Sequence, residues 1–374
     1  MVRDEMPPAD TGRRASRRYL NLLVGSLSLI TLASVTLLLP VPYVVLSPSL
    51  TFNTLGDFEG REMITFPNNV KTYEATGALD FTTVLVSQPG AHVSLAEAMT
   101  AYFSDGSEVV RRSSIYPEGE SVAQSEATSR LLFKSAQDAA KVAALRAMDR
   151  RVPTVPAVYV VEKGFPAYGK LRIGDLIRGA DGRKNLTVSE FVQVVRAKEP
   201  GQSVTIQYER RGKPGTVRVA TRRDPKPPHN ARIGISPVEM YEPGKAMKID
   251  FHTGSKIGGS SAGMMFALAI YDRLTPGSLT GGKHIAGTGT ITVDGKVGPI
   301  GGIRQKTIGA ASSGATIFLA PAKNCADAML DADRRGRVHG MKVVRVAKLT
   351  DGISALAALA KDPKAKVPAC QPAD

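Results

Sequence analysis

Gly258-Gly259-Ser260-Ser261-Ala262-Gly263 opens an apolar run from Met264 to Ile270. Small residues let the backbone turn tightly and approach a substrate, and two hydroxyls stand where a helix begins, beside its unpaired N–H groups and positive dipole end. That setting suits a serine nucleophile, and it suits an ordinary helix cap equally well, because Ser is a preferred N-cap residue. A base would separate the two readings. Lys306 follows Pro299-Ile300-Gly301-Gly302 and is expected one turn into a helix, among Ile300, Ile303 and Ile308. An amine with a pKa near 10.4 is a poor proton acceptor at neutral pH, but burial among apolar neighbours disfavours its charged form and lowers that value. Neutral Lys306 would take the Ser261 proton and ready the oxygen for an acyl group, with backbone N–H groups at the helix start facing the oxyanion. Gly259, Ser260 and Ala262 are the supporting loop positions. The alternative for Lys306 is a solvated helix lysine.

A second catalytic arrangement competes. Gly259-x-Ser261-x-Gly263 also satisfies the nucleophile elbow of α/β-hydrolases, which needs a downstream acid and His. Only His284 and His339 follow the serine, one in a Gly-Gly-Lys-His loop and one in a Gly/Arg-rich turn. No His, Glu or Cys cluster has metal-ligand spacing, and no Gly-x-x-x-x-Gly-Lys-Ser/Thr phosphate loop occurs. The expectation is therefore chemistry without metal, cofactor or ATP.

The elements that must position these residues read as follows. Met247 to Phe251 alternates as a half-buried strand, 254–263 is a loop, and a helix runs from Ala262 to Leu274. Ile285 to Val293 alternates toward a strand, Asp294-Gly295 turns, and the Lys306 helix follows. Upstream, Val158–Val161, a turn at Gly164–Ala167, a strand within Gly169–Ile177, a helix near Val188–Ala197 and a strand over Val204–Tyr208 suit a small β-barrel capped by helices. Arg222, Arg223, Pro225, Pro227 and Pro228 form a stiff basic linker. Ser121 to Arg150 carries helical periodicity without Gly or Pro, whereas Tyr43–Val45, Met63–Phe66 and Thr82–Val86 are short β-like runs, with a helix near Leu95–Phe103.

At 374 residues with 43% hydrophobic and 22% charged side chains, the chain has room for two or three domains. Its net charge is +15 and its pI about 9.8, but basic residues are interspersed with acids and lack interleaved aromatics, which argues against a nucleic-acid partner. Tyr19 to Leu39 carries no charge and is long enough to cross a bilayer. Arg13, Arg14, Arg17 and Arg18 stand just before it, placing the N-terminus in the cytoplasm and the bulk outside. No small-x-small cleavage site follows, so an uncleaved anchor is expected. Cys325 and Cys370 are the only cysteines, and pairing and free thiols both remain open.

Two resemblances add to this reading. Phe165-Pro166-Ala167, then Leu171-Arg172-Ile173-Gly174-Asp175-Leu176-Ile177, Asp181-Gly182 and Pro200-Gly201-Gln202-Ser203-Val204 resemble a bacterial PDZ domain, which implies capture of peptide C-termini or extended segments by strand addition. Ser261-Ala262-Gly263, Leu279-Thr280-Gly281, Thr288 to Val297 and Pro299-Ile300-Gly301-Gly302-Ile303-Arg304-Gln305-Lys306 resemble the proteolytic domain of Lon proteases over roughly 230–362. With the anchor, the whole is similar to the membrane-anchored PDZ and Lon-like proteases of Gram-positive bacteria. The resemblance puts the nucleophile on Ser261, the base on Lys306 and a lysine-orienting threonine on Thr288. It makes Cys325 structural and a homo-oligomer, a hexamer, possible. Two positions depart: Lon usually has proline before the nucleophile and an acid three before it, where this chain has Ser260 and Gly258.

The resulting expectation is an α+β chain with a cytoplasmic tail (1–18), a transmembrane anchor (19–39), a mixed membrane-proximal region (40–149), a PDZ domain (150–222), a linker (223–229), a Lon-like domain (230–362) and a C-terminal tail (363–374). Its function would be ATP-independent endopeptidase action on unfolded, membrane or exported polypeptides. A catalytically weak PDZ scaffold and a Ser/His hydrolase are the alternatives.

Overall fold

A computed structural model describes residues 11–88, 90–104, 106–116, 121–150, 152–242, 247–254, 257–334 and 340–371. They fall into two units, Met1–Ser47 with Leu85–Glu120, and Pro48–Val84 with Ser121–Asp374.

In the first unit, helix α1 (Thr11–Leu38) contains the stretch Tyr19–Leu38, with mean hydropathy 1.9 and every side chain exposed. It begins eight residues before the expected anchor, so 11–18 are helical rather than part of a disordered tail. Extending an existing helix costs little, and Arg and Ala are good helix formers. Residues 1–10 of that tail lie outside the described residues. Pro40–Val41 then pairs antiparallel with Val93–Ser94, and Tyr43–Leu46 with Glu108–Arg111. Helix α2 (Leu95–Phe103) starts on a Ser94/Glu97 capping box, and α3 (Arg112–Ile115) is a single turn.

The second unit is built around two large sheets. Before them comes α4 (Val122–Ala147), capped by Ser121 and Gln124. Its alanines at 139, 140, 143 and 144 are buried in one core with Met264, Phe266 and Ile270. The PDZ-like sheet runs Lys213–Ala220, Ser203–Arg210, Leu176–Ala180, Thr154–Val161, Ile235–Tyr241, antiparallel throughout. Helix α5 (Val188–Arg196), with its Thr187/Glu190 capping box, buries Phe191, Val194 and Val195 against Val158, Ile177 and Ile206. Its last strand lies beyond the expected boundary at 222. The linker leads back through Ala231–Arg232, paired with Arg222–Arg223, and Ile235–Tyr241 covers what would otherwise be the open edge of Thr154–Val161.

The other sheet includes, in order, Lys342–Val346, Ile317–Pro321, His284–Gly287 and Ala78–Val86, all parallel. Alternation along these strands sorts their side chains between two faces. Ile285, Ile317 and Leu319 share a core with α6 (Gly263–Leu274), whereas Ala286, Phe318 and Ala320 share one with Ile303 and Ala310 of α7 (Ile303–Ser312) and Ala328 of α8 (Cys325–Arg334). The last helix, α9 (Leu349–Lys361), joins the α6 side. The expected membrane-proximal region is therefore divided: Pro48–Val84 and α4 belong with this sheet. Nor is 363–371 a free tail. Cys370 is disulfide-bonded to Cys325, Ala369 bridges Val344, and the Cys370 N–H donates to Val343 O at 3.0 Å, so the segment closes the sheet's outer strand.

Candidate active site

Ser261 stands just ahead of α6, whose N-cap is Ala262 in an αR conformation without any side-chain cap. The serine hydroxyl is thus not a helix cap, and a different partner holds it. Lys306 Nζ lies 2.8 Å from Ser261 Oγ and donates to the backbone carbonyl of Thr82 at 2.7 Å. Lys306 sits four residues after Gly302, the left-handed N-cap of α7, which turns the first turn of the helix inward. Its side chain is buried, with 4% of the residue exposed, and reaches the strand carrying Thr82. Burial pulls the amine down to about 7 from an ordinary value near 10.5.

The loop is held from three sides. Thr288, fully buried, donates its hydroxyl to Ser261 O at 3.0 Å, and Gly289 N–H donates to the same oxygen at 2.7 Å. The threonine expected to orient the lysine instead fixes the backbone of the serine, and the lysine takes its direction from Thr82. The Gly263 and Met264 amides are occupied by Ser260 O and Gly289 O, so two of the helix-start donors expected to be unpaired are already used. Gly259, at φ +84°, donates to Ser129 O of α4 at 3.1 Å. Gly258 has its own reason for lacking a side chain, since a Cβ there would collide with Ser129 Oγ. Where an acid was expected from the family pattern, α4 occupies the space. Ser260 contributes its carbonyl to the turn, and among the described residues Lys306 reaches the hydroxyl of Ser261 rather than that of Ser260.

His284 is placed elsewhere. Its Nε2 meets Asp80 Oδ2 at 2.9 Å, and it begins the strand whose continuation, five residues on, reaches Gly289 beside Ser261. At about 3.3 Å per residue, that separation is roughly 16 Å. His339 lies outside the described residues. Thr82 and Ser129 were not singled out in the sequence. Thr82 acts through its carbonyl, and only the β-like pattern of its strand was visible.

Residues 238–356 match the family described as Lon protease (S16) C-terminal proteolytic domain. The chain carries a Lon-type proteolytic domain. Residues 133–221 match a PDZ domain, and that match takes in the second half of α4 as well as four strands of the PDZ-like sheet. Lon protease 2 of Herpetosiphon aurantiacus is 41% identical over 85 residues, covering 21% of this chain and 10% of that protein. Lon protease 1 of Bacillus subtilis is 36% identical over 97 residues, 25% of this chain and 12% of that protein. The chain thus spans about a tenth of the length of these relatives. A solved PDZ domain of an SdrC-like protein from Listeria monocytogenes is 27% identical, covering 22% of this chain and 87% of that one with a TM-score of 0.21. The Lon-type match spans Ser261, Thr288 and Lys306 but not Thr82 or Ser129, which lie before it in the chain.

Proposed function

We propose that the chain is a membrane-anchored serine endopeptidase in which Ser261 is the nucleophile and Lys306 its general base. The observation that carries this reading is the 2.8 Å contact between the Ser261 hydroxyl and a buried amine drawn down to about 7. At neutral pH a large share of Lys306 is then unprotonated. The amine removes the hydroxyl proton as Ser261 Oγ attacks a peptide carbonyl, and the ammonium so formed is held by Thr82 O. It returns the proton to the leaving amine, and the same lysine activates water to hydrolyse the acyl-enzyme. With the Gly263 and Met264 amides occupied, the oxyanion falls to the amides of Ser261 and Ala262.

The PDZ module supplies the substrate end. A groove of about 420 Å³ lies between Phe191, Val195 and Arg196 of α5 and the edge strand at Ile235–Pro237, with Arg232 beside it. An extended peptide pairing with that edge would place its terminal carboxylate near the arginines. Anchoring rests on Tyr19–Leu38 and the arginines before it, and the Cys325–Cys370 disulfide favours a domain outside the reducing cytoplasm. Hydrolysis without ATP is part of this reading, supported by the lack of a Gly-x-x-x-x-Gly-Lys-Ser/Thr stretch in residues 1–374.

The test is turnover of an unfolded protein by Ser261→Ala, Ser260→Ala, Lys306→Ala and His284→Ala chains. Loss confined to Ser261 and Lys306 supports the dyad. Turnover that survives Lys306→Ala and fails with His284→Ala overturns it, and an intact chain that cleaves nothing leaves a PDZ scaffold.

A further inference from the structure

Helix α2 has its large apolar residues on the wrong side for a soluble helix. Ala98 and Ala101 are buried, while Leu95, Met99, Tyr102 and Phe103 follow the i, i+4, i+7, i+8 spacing of a single face. Of these Met99 is 46%, Tyr102 74% and Phe103 77% exposed, and the two rings meet edge to face at 5.3 Å. Glu97, Thr100 and Ser104 form a separate polar flank. A contiguous stripe of this kind on a nine-residue helix marks a surface that something covers.

What covers it follows from where α2 begins. The Leu95 N–H donates to Leu39 O at 3.0 Å, one residue past the end of α1, and Pro40 and Val41 pair with Ser94 and Val93. The 20 residues Tyr19–Leu38 rise about 30 Å, the thickness of the hydrocarbon core, so α1 ends where the headgroup layer starts. Helix α2 starts at that level. Tyrosine and other aromatic side chains favour this layer, and helices with one apolar and one polar flank lie in it.

We propose that α2 is an interfacial helix, its Leu95/Met99/Tyr102/Phe103 face set into the lipid surface of the leaflet from which α1 emerges. The proposal rests on α1 being an anchor. A lone span would leave the following chain free to swing about Pro40-Val41-Pro42, and a second lipid contact removes that freedom.

The chain contains no Trp, so Phe103→Trp introduces its only indole. Three single-Trp full-length chains are compared in phosphatidylcholine vesicles with and without brominated acyl chains. They are Phe103→Trp, Leu29→Trp within the span, and Tyr168→Trp at an exposed position of the PDZ module. The Phe103→Trp and Leu29→Trp chains are expected to emit at shortened wavelength and to lose most of their emission to the brominated lipid, while Tyr168→Trp does neither. Quenching of Leu29→Trp without quenching of Phe103→Trp overturns the interfacial helix and leaves the anchor standing. Failure of both overturns the anchor as well. A blue-shifted Phe103→Trp that bromine does not quench assigns the face to a second copy of the chain, which also contradicts the proposal.

Discussion

A buried amine is a costly group to keep, and Lys306 is held against that cost by two oxygens, Ser261 Oγ and Thr82 O. As the proposed base, drawn down to about 7, it is expected to set the acidic limb of activity. The kcat/KM of peptide hydrolysis should rise through pH 7 and level off above about pH 8 as the base loses its proton. The same group shapes stability. In the unfolded chain a lysine titrates near 10.4, so between about pH 7 and 10 the unfolded state holds more protons than the folded one, and stability from this group increases with pH. Lys306→Met should abolish turnover and remove that rise, read as a flatter dependence of the denaturant midpoint on pH over the window. Ser261 and Lys306 were legible through the resemblance, because a hydroxyl in a Gly-rich turn reads as well as a helix cap and a helix lysine as a solvated one until the Lon-like motifs around them single both out. Thr82 was not, since a backbone carbonyl leaves no trace in the side-chain alphabet.

The elements that hold the dyad show why the nucleophile loop has the composition it has. Helix α4 reaches the loop at Ser129, whose carbonyl takes the Gly259 N–H and whose hydroxyl fills the space beside Gly258. Farther along, Phe133 packs edge-on against Phe266 of α6 at 5.7 Å, tying the two helices together. Gly258→Asp, the acid of the family pattern, should push the loop off α4 and lower kcat by roughly 10–100-fold, because small misplacements of reacting groups are expensive. Ser129→Ala in the same chain should recover part of that loss, and the non-additivity of the pair in a double-mutant cycle is the measurement. Phe133→Ala should cost about 3–5 kcal/mol of stability, read from chemical denaturation. The helical character of Ser121–Arg150 was plain from its periodicity, but its partner was not: an alanine-rich face says that something small-pored packs there, not which helix it is. Strand pairing was hidden for a related reason. The run Thr82–Val86 reads as β, yet it is the preceding residues of its strand, Ala78–Phe81, that pair with His284–Gly287 some 200 residues on, in a register set by tertiary packing alone.

At the scale of the molecule, the Lon-type match begins at 238 and ends at 356, while the structure that serves the site does not. Ala78–Val86, α4 and the disulfide-bonded segment at Cys370 all lie outside those bounds. A fragment of residues 238–356 should therefore fail to fold cooperatively, seen as the absence of a sharp thermal transition by circular dichroism. A chain lacking residues 1–39 keeps all three and should turn over a soluble peptide at an undiminished rate. The order of modules was legible from motifs, whereas the interleaving of the segments before the PDZ module with the sheet after it was not. No local pattern records that Pro48–Val84 joins a sheet with His284–Gly287, Ile317–Pro321 and Lys342–Val346. The central claim, that this assembly exists to bring Lys306 to Ser261, is tested most directly by trapping the acyl-enzyme position. The full-length chain is treated at pH 8 without nucleotide with a peptide boronate or fluorophosphonate, and the modified residue is located by mass spectrometry. The account predicts an adduct on Ser261 that disappears in Lys306→Met. An adduct on Ser260, or one on Ser261 that forms equally well without the lysine, would contradict it.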